Sequence, residues 1–114
     1  MTTVATGQQA EVAAAHYLNK LGYKILQQNW RTRYCEIDIV AQKKKTIHLV
    51  EVKYRVRDTQ GSGLDFITST KLRQMRFAAE MWVQEHDWRG DFQLSAIEIS
   101  GPKFTVTEFL PDIT

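Results

Sequence analysis

Two β-type segments packed into twenty-one residues constrain this chain most. Residues 35–41 and 46–55 are both rich in Ile, Val and Leu, and only a short polar stretch around Lys43, Lys44 and Lys45 separates them. A connection this short favours antiparallel neighbours. A basic triplet in that position reads first as a solvated turn. Both segments also carry ionisable residues inside otherwise apolar runs: Glu36 and Asp38 in the first, Glu51 and Lys53 in the second. Side chains two apart in a strand share a face. Glu51 and Lys53 therefore project together, with Val50 and Val52 opposite, and Glu36 and Asp38 share a face with Ile37 and Ile39 behind them.

Around this pair the pattern predicts a helix over residues 7–21, where Ala10, Ala13, Ala14, Tyr17, Leu18 and Leu21 recur at three- and four-residue spacing before Gly22. A strand over 23–30 follows, then the two central strands. Residues 58–65, with Gly61, Ser62 and Gly63, read as a loop. The stripe Leu72, Met75, Ala79 and Trp82 predicts a second helix ending near His86. Strands over 92–99 and 104–110, separated by Ser100, Gly101 and Pro102, complete the order α-β-β-β-α-β-β. This order fits an α/β sheet covered by helices. At 114 residues, residues 1–114 are expected to form a single domain. No stretch has the length of an apolar membrane span and no basic-then-apolar leader opens the chain, so a cytoplasmic location without membrane attachment is expected. Cys35 is the sole cysteine, which excludes an internal disulfide and a cysteine-based zinc site.

The net charge of +2 conceals a strong asymmetry. Residues 20–76 hold thirteen basic against five acidic side chains, and residues 77–114 hold two against seven. A basic central segment suits a polyanionic partner such as nucleic acid, if folding does not scatter the charges. The acidic last third offers a surface to a basic protein partner.

Clustered carboxylates suit a hard divalent ion, which would act on a phosphodiester with Lys53 beside it. On spacing alone the commoner outcome is an exposed strand face with ordinary cross-strand ion pairs, each worth about 0.2–1 kcal/mol. Glu11, beside the small Ala10, Ala14 and Ala15, is either a further ligand or a solvated helix glutamate. His16, His48 and His86 lack the spacing of a metal motif, and Trp82 belongs to the apolar helix stripe.

The strings Gly22-Tyr23 through Asn29 and Arg31, Cys35-Glu36-Ile37-Asp38-Ile39-Val40-Ala41, and Leu49-Val50-Glu51-Val52-Lys53-Tyr54-Arg55 together resemble the YraN-like family, also called UPF0102. The likeness extends from Gly7, Glu11, Ala14, Tyr17 and Leu18 to Gly63 and Lys71. That family in turn resembles Holliday-junction resolvases of the PD-(D/E)xK nuclease superfamily. The resemblance implies a restriction-endonuclease-like fold, a central mixed sheet flanked by helices. It also implies an Mg²⁺- or Mn²⁺-dependent endonuclease hydrolysing DNA, including branched DNA, in a form that can be a homodimer. By that resemblance Asp38 and Glu51 are metal ligands, Lys53 is the catalytic lysine, Glu11 completes the metal site and Glu36 is an accessory acid. Arg55, Arg57 and Lys71 lie towards the nucleic acid. The alternative is a nucleic-acid-binding module that retains the nuclease fold without hydrolysis. Two positions depart from the family pattern: Cys35 stands where Gly usually precedes E-I-D, and Asp91-Phe92-Gln93 stands where R-F-D is common.

Overall fold

A computed structural model describes residues 3–56, 65 and 67–114, with side chains from Thr6 onward. Arg57, Gly61, Ser62 and Gly63, and with them most of the expected loop, lie outside the described residues. The elements are α1 (Thr3–Lys20), β1 (Lys24–Arg31), β2 (Glu36–Lys43), β3 (Thr46–Arg55), α2 (Ser69–Glu85), β4 (Asp91–Ser100) and β5 (Thr105–Leu110). Their order is the one expected from the sequence, and the five strands form one mixed sheet in the order β1-β2-β3-β4-β5. Short turns make the β1/β2, β2/β3 and β4/β5 pairs antiparallel. The α2 crossover lets β4 run parallel to β3 over ten residue pairs, from Thr46↔Asp91 to Arg55↔Ser100.

Each helix covers one face of the sheet. Ala10, Ala14 and Leu18 of α1, four apart, are essentially inaccessible and pack with Ile39, Ala41, Val50, Ile97 and Ile99. Two alanines at the contact let the helix axis approach the strands closely. Leu21, expected on this stripe, is instead 41% exposed. The helix stops at Lys20, Gly22 takes the left-handed conformation (φ 94°), and the N–H groups of Gly22 and Tyr23 donate back to the carbonyls of Asn19 and Leu18. This double closure turns the chain so that Tyr23, not Leu21, enters the core beside Leu18. On the other face Met75, Ala78, Ala79 and Trp82 of α2 bury against Ile37, Val40, Ile47, Leu49 and Leu94. Thr68 caps α2 by accepting from the Lys71 N–H at 3.1 Å. His86 closes its far end, stacked on Trp82 with ring centroids 4.2 Å apart.

The lysine triplet falls at the β2/β3 turn as expected: Lys44 and Lys45 are exposed, and the Lys43 ammonium sits 4.9 Å from the Tyr23 ring centre. No helix among the described residues is long and apolar enough to cross a membrane.

The sheet interior contains two polar devices. His48, facing α1 as alternation requires, has Nδ1 3.2 Å from Ser95 Oγ, and the Ser95 hydroxyl donates to the Pro111 carbonyl at 2.7 Å, fastening the C-terminal residues to β4. Burial also pushes the His48 pKa down. Glu98, 1% exposed, accepts from the Thr107 hydroxyl at 2.7 Å and lies 2.6 Å from Arg55 Nε. That Arg55 contact is ionic: the N–H does not align for a hydrogen bond. Removing one member of such a pair strands the other charge in a desolvated place. Glu98→Ala is therefore expected to destabilise the protein by about 3–5 kcal/mol in urea unfolding; a loss below about 1 kcal/mol would show that the pair is effectively solvated.

Candidate functional site

The site originates in a failure of strand pairing. β2 and β3 pair from Lys43↔Thr46 to Ile39↔Val50 and then stop. Beyond that point β2 stays with β1 (Trp30↔Ile37, Arg31↔Glu36) while β3 stays with β4 (Glu51↔Ala96, Lys53↔Glu98), so the two strands diverge. The N–H of Val52, which a continued ladder would have satisfied, donates instead to Asp38 Oδ2 at 2.8 Å. A side chain replaces a backbone partner, as a buried N–H demands. The same divergence ends the simple alternation expected for this segment. Ile37 packs with the α2 cluster while Ile39 packs with the α1 cluster, so the two do not share the face that two-residue spacing assigned them.

Four carboxylates gather around this opening. Burial is the largest influence on Asp38, followed by the charge of Glu51; Glu11 and Glu36 add to the same effect, and the Val52 N–H only partly opposes it. The carboxyl is pushed up to about 7. Burial likewise raises the pKa of Glu11, a hydrogen bond from Asn29 opposes it, and Glu36 and Glu51 raise it further against the pull of Arg31. Asn29 reaches α1 from within β1 in a left-handed conformation (φ 55°), which asparagine tolerates better than most residues. Even so, Glu11 Oε1 is buried with no hydrogen-bond partner. Glu51 Oε2 lies 2.8 Å from Lys71 Nζ, and Glu36 Oε2 lies 3.3 Å from Arg31 Nε in an exposed pair.

The sequence candidates therefore divide. Glu11, Glu36, Asp38 and Glu51 come within electrostatic reach of one another, and Lys71 joins them through its ion pair with Glu51. Lys53, two residues beyond Glu51 on β3, is exposed. Arg55 has its Nε committed to the buried Glu98. Among the described residues no three His, Cys, Asp or Glu side chains stand close enough to hold a metal ion together as arranged. The donors nonetheless suit Mg²⁺ or Mn²⁺: they are hard carboxylate oxygens, one buried oxygen is unpartnered, and Mg²⁺ needs only one or two protein carboxylates beside its waters.

Both departures from the expected motif have a place. Cys35 is half-buried against Thr32 and Met81 at the entry to β2. Gln93 pairs with His48, three positions before the Glu51↔Ala96 pair, so it lies off the carboxylate cluster. The structure adds residues that spacing did not single out. Tyr34, Arg73 and Phe77 line a groove of about 430 Å³ together with Glu36, Glu51 and Lys71. Phe77 carried a legible signal, an aromatic residue two positions off the buried stripe at Met75.

Known proteins place the chain. A family model described as uncharacterised protein family UPF0102 matches residues 10–99, which include every carboxylate of the cluster. The chain belongs to the UPF0102 family. Its relatives include a UPF0102 protein of Vibrio parahaemolyticus, 38% identical over 101 residues (83% of this chain and 82% of the relative). One from a Sulfurihydrogenibium species is 35% identical over 102 residues and covers 89% of each chain. Another, from Mycobacterium bovis, is 39% identical over 92 residues, 77% of this chain and 72% of the relative.

For this UPF0102 chain the raised Asp38 pKa has a signed consequence. A carboxyl that binds its proton more tightly when folded stabilises the fold at low pH, and that contribution is lost as pH rises from about 4 towards about 7. In chelator, Asp38→Asn, whose amide oxygen can still accept from Val52, is expected to exceed the wild type in stability by more than about 1 kcal/mol at pH 8, with the gap closing towards pH 4. Urea unfolding across that range measures it; parallel pH profiles would contradict the burial argument.

Proposed function

We infer that this UPF0102 protein is a divalent-metal-dependent nuclease that hydrolyses DNA phosphodiester bonds. One observation carries the reading: where β2 leaves β3, Asp38 and Glu51 converge with Glu11 behind them, and Lys53 stands exposed on the strand that carries Glu51. An ordinary exposed strand face would not half-bury Asp38 or leave a buried Glu11 oxygen unpartnered.

In this reading Asp38 and Glu51 hold the ion, Glu11 supplies a further oxygen from α1, and Glu36 contributes negative charge from the rim. A divalent ion bound there supplies Lewis acidity to a phosphoryl oxygen and lowers the pKa of a water. Asp38 must give up its proton to bind, which ties ion uptake to pH. Glu51 must exchange Lys71 for the ion, which frees the Lys71 ammonium for a phosphate oxygen. Lys53 orients the attacking water and offsets the negative charge that builds on the phosphorus oxygens in the transition state. Lys71, with the exposed Arg31, Arg33 and Arg73, gives the rim the cationic character that a polyanion requires.

The test is Mg²⁺- and Mn²⁺-dependent cleavage of single-stranded, duplex, flapped and four-way-junction DNA by wild type and by Asp38→Ala and Lys53→Ala prepared in parallel. Both substitutions are expected to lower cleavage about 10²-fold or more. Cleavage that persists unchanged in Asp38→Ala, with contamination excluded, would refute the assignment.

A second reading rests on the Glu51 to Lys71 ion pair, which satisfies Glu51 without any metal. Were it permanent, the protein would be a DNA-binding module with a nuclease fold. Binding that weakens steeply with salt, with no cleavage of any substrate, is the outcome of that alternative.

A further inference from the structure

The groove beside the carboxylates has a chemistry that the hydrolytic residues do not require. It runs between the β1/β2 turn and the first turns of α2. Its volume of about 430 Å³ lies within the roughly 300–1,000 Å³ of small-ligand sites. Tyr34 and Phe77 line it, 70% and 49% exposed. They are two of the three exposed aromatic side chains among the described residues, the other being Phe92. Neither ring contributes to either core cluster. Folding alone gives no reason to leave two rings in water around one depression, beside the carboxylate cluster.

Both carboxylates that line the groove have cationic partners. Glu51 is held by Lys71 and Glu36 by Arg31, so neither carboxylate presents a bare negative charge. Arg73 lines the wall, its guanidinium steadied by the Thr70 hydroxyl at 3.2 Å, and the Arg33 guanidinium lies 5.6 Å from the Tyr34 ring centre. Flat π surfaces for a ring and guanidinium groups for a phosphate, next to a cluster that would hold a metal, match a nucleotide whose base faces are uncovered. A base inside a duplex is covered on both faces by its neighbours and has nothing to offer Tyr34 or Phe77.

We propose that Tyr34 and Phe77 form a stacking groove that receives an unpaired nucleotide of a DNA strand, so that this site prefers DNA with a single-stranded extension to fully paired DNA, whether duplex or four-way junction. The proposal rests on the nucleic-acid reading above and names its substrate class. Stacking on aromatic side chains is sequence-tolerant and contributes enough per base to change affinity by tenfold or more. Arg73 and Arg33 hold the phosphate that follows the stacked base, which brings the adjoining phosphodiester towards Asp38 and Glu51.

The experiment measures binding of the full chain, in chelator so that no strand is cut, to a duplex with a single-stranded tail and to the blunt duplex and paired four-way junction of the same sequence. A 2-aminopurine placed in the tail reports stacking through its fluorescence. The expected result is about tenfold tighter binding of the tailed DNA, with 2-aminopurine quenching. Tyr34→Ala and Phe77→Ala should each remove most of that preference and the quenching, leave blunt-duplex affinity unchanged, and keep wild-type thermal stability because both rings are exposed. Tyr34→Phe should retain the preference, since the π face and not the hydroxyl is used. Equal affinity for tailed and blunt DNA, or a tail preference that survives both alanine substitutions, would overturn the proposal. Tail preference with no Asp38-dependent cleavage would refute the nuclease reading and leave the groove standing; Asp38-dependent cleavage with no tail preference would do the reverse.

Discussion

The hydrogen bond from the Val52 N–H to Asp38 Oδ2 is the contact on which the rest of the site depends. A sheet whose strands stayed paired would have satisfied Val52 by backbone and sent Asp38 to one face as an ordinary strand acid. Here β2 follows β1 and β3 follows β4, and the widening gap is closed by a carboxylate instead of a carbonyl. That substitution half-buries Asp38 within electrostatic reach of Glu51, and its pKa is pushed up to about 7. The cluster is thus a property of the sheet's topology: a carboxylate forced into the seam between an antiparallel pair and a parallel pair.

Around that seam the protein distributes its remaining charges by degree of burial. Deep in the sheet Glu98 is answered by Arg55 and Thr107, a closed arrangement that serves the fold. At the seam Glu11 keeps one buried oxygen unpartnered and Glu51 is answered by Lys71, a long side chain on a different element. At the surface Glu36 and Arg31 form an exposed pair of little energetic weight. The ordering from closed to open runs towards the groove bounded by Tyr34 and Phe77. Under the proposed nuclease function this arrangement leaves a Glu11 oxygen open to a cation, while Glu51 must first leave Lys71.

The element order was legible because the apolar periodicities were strong, and β3 begins and ends at Thr46 and Arg55 as its pattern indicates. Asp38, Glu51 and Lys53 were visible as charged residues inside apolar strands. What spacing does not encode is where a ladder stops: the face-sharing assigned to Ile37 and Ile39 failed because a rule of strict alternation assumes continued pairing. Leu21 failed for a related reason, since the helix closes on Gly22 one residue too early for Leu21 to reach the core. Arg55 looked like part of a basic surface because nothing in its neighbourhood along the chain announces Glu98, forty-three positions later and brought within reach only by the parallel pairing of β3 and β4, where Glu98 stands opposite Lys53. Tyr34 and Phe77 form a pair only in three dimensions, one from a turn and the other from a helix.

The proposed function requires the opening between β2 and β3 to be a divalent-cation site built on Asp38 and Glu51. Calorimetric titration of Mn²⁺ into the wild-type chain, Asp38→Ala and Glu51→Ala at pH 8 tests it without reference to any substrate. One saturable site in the wild type, abolished in both variants while their folds remain intact, is the result this account predicts. Mn²⁺ binding that is absent from the wild type, or that survives unchanged without Asp38, would contradict it.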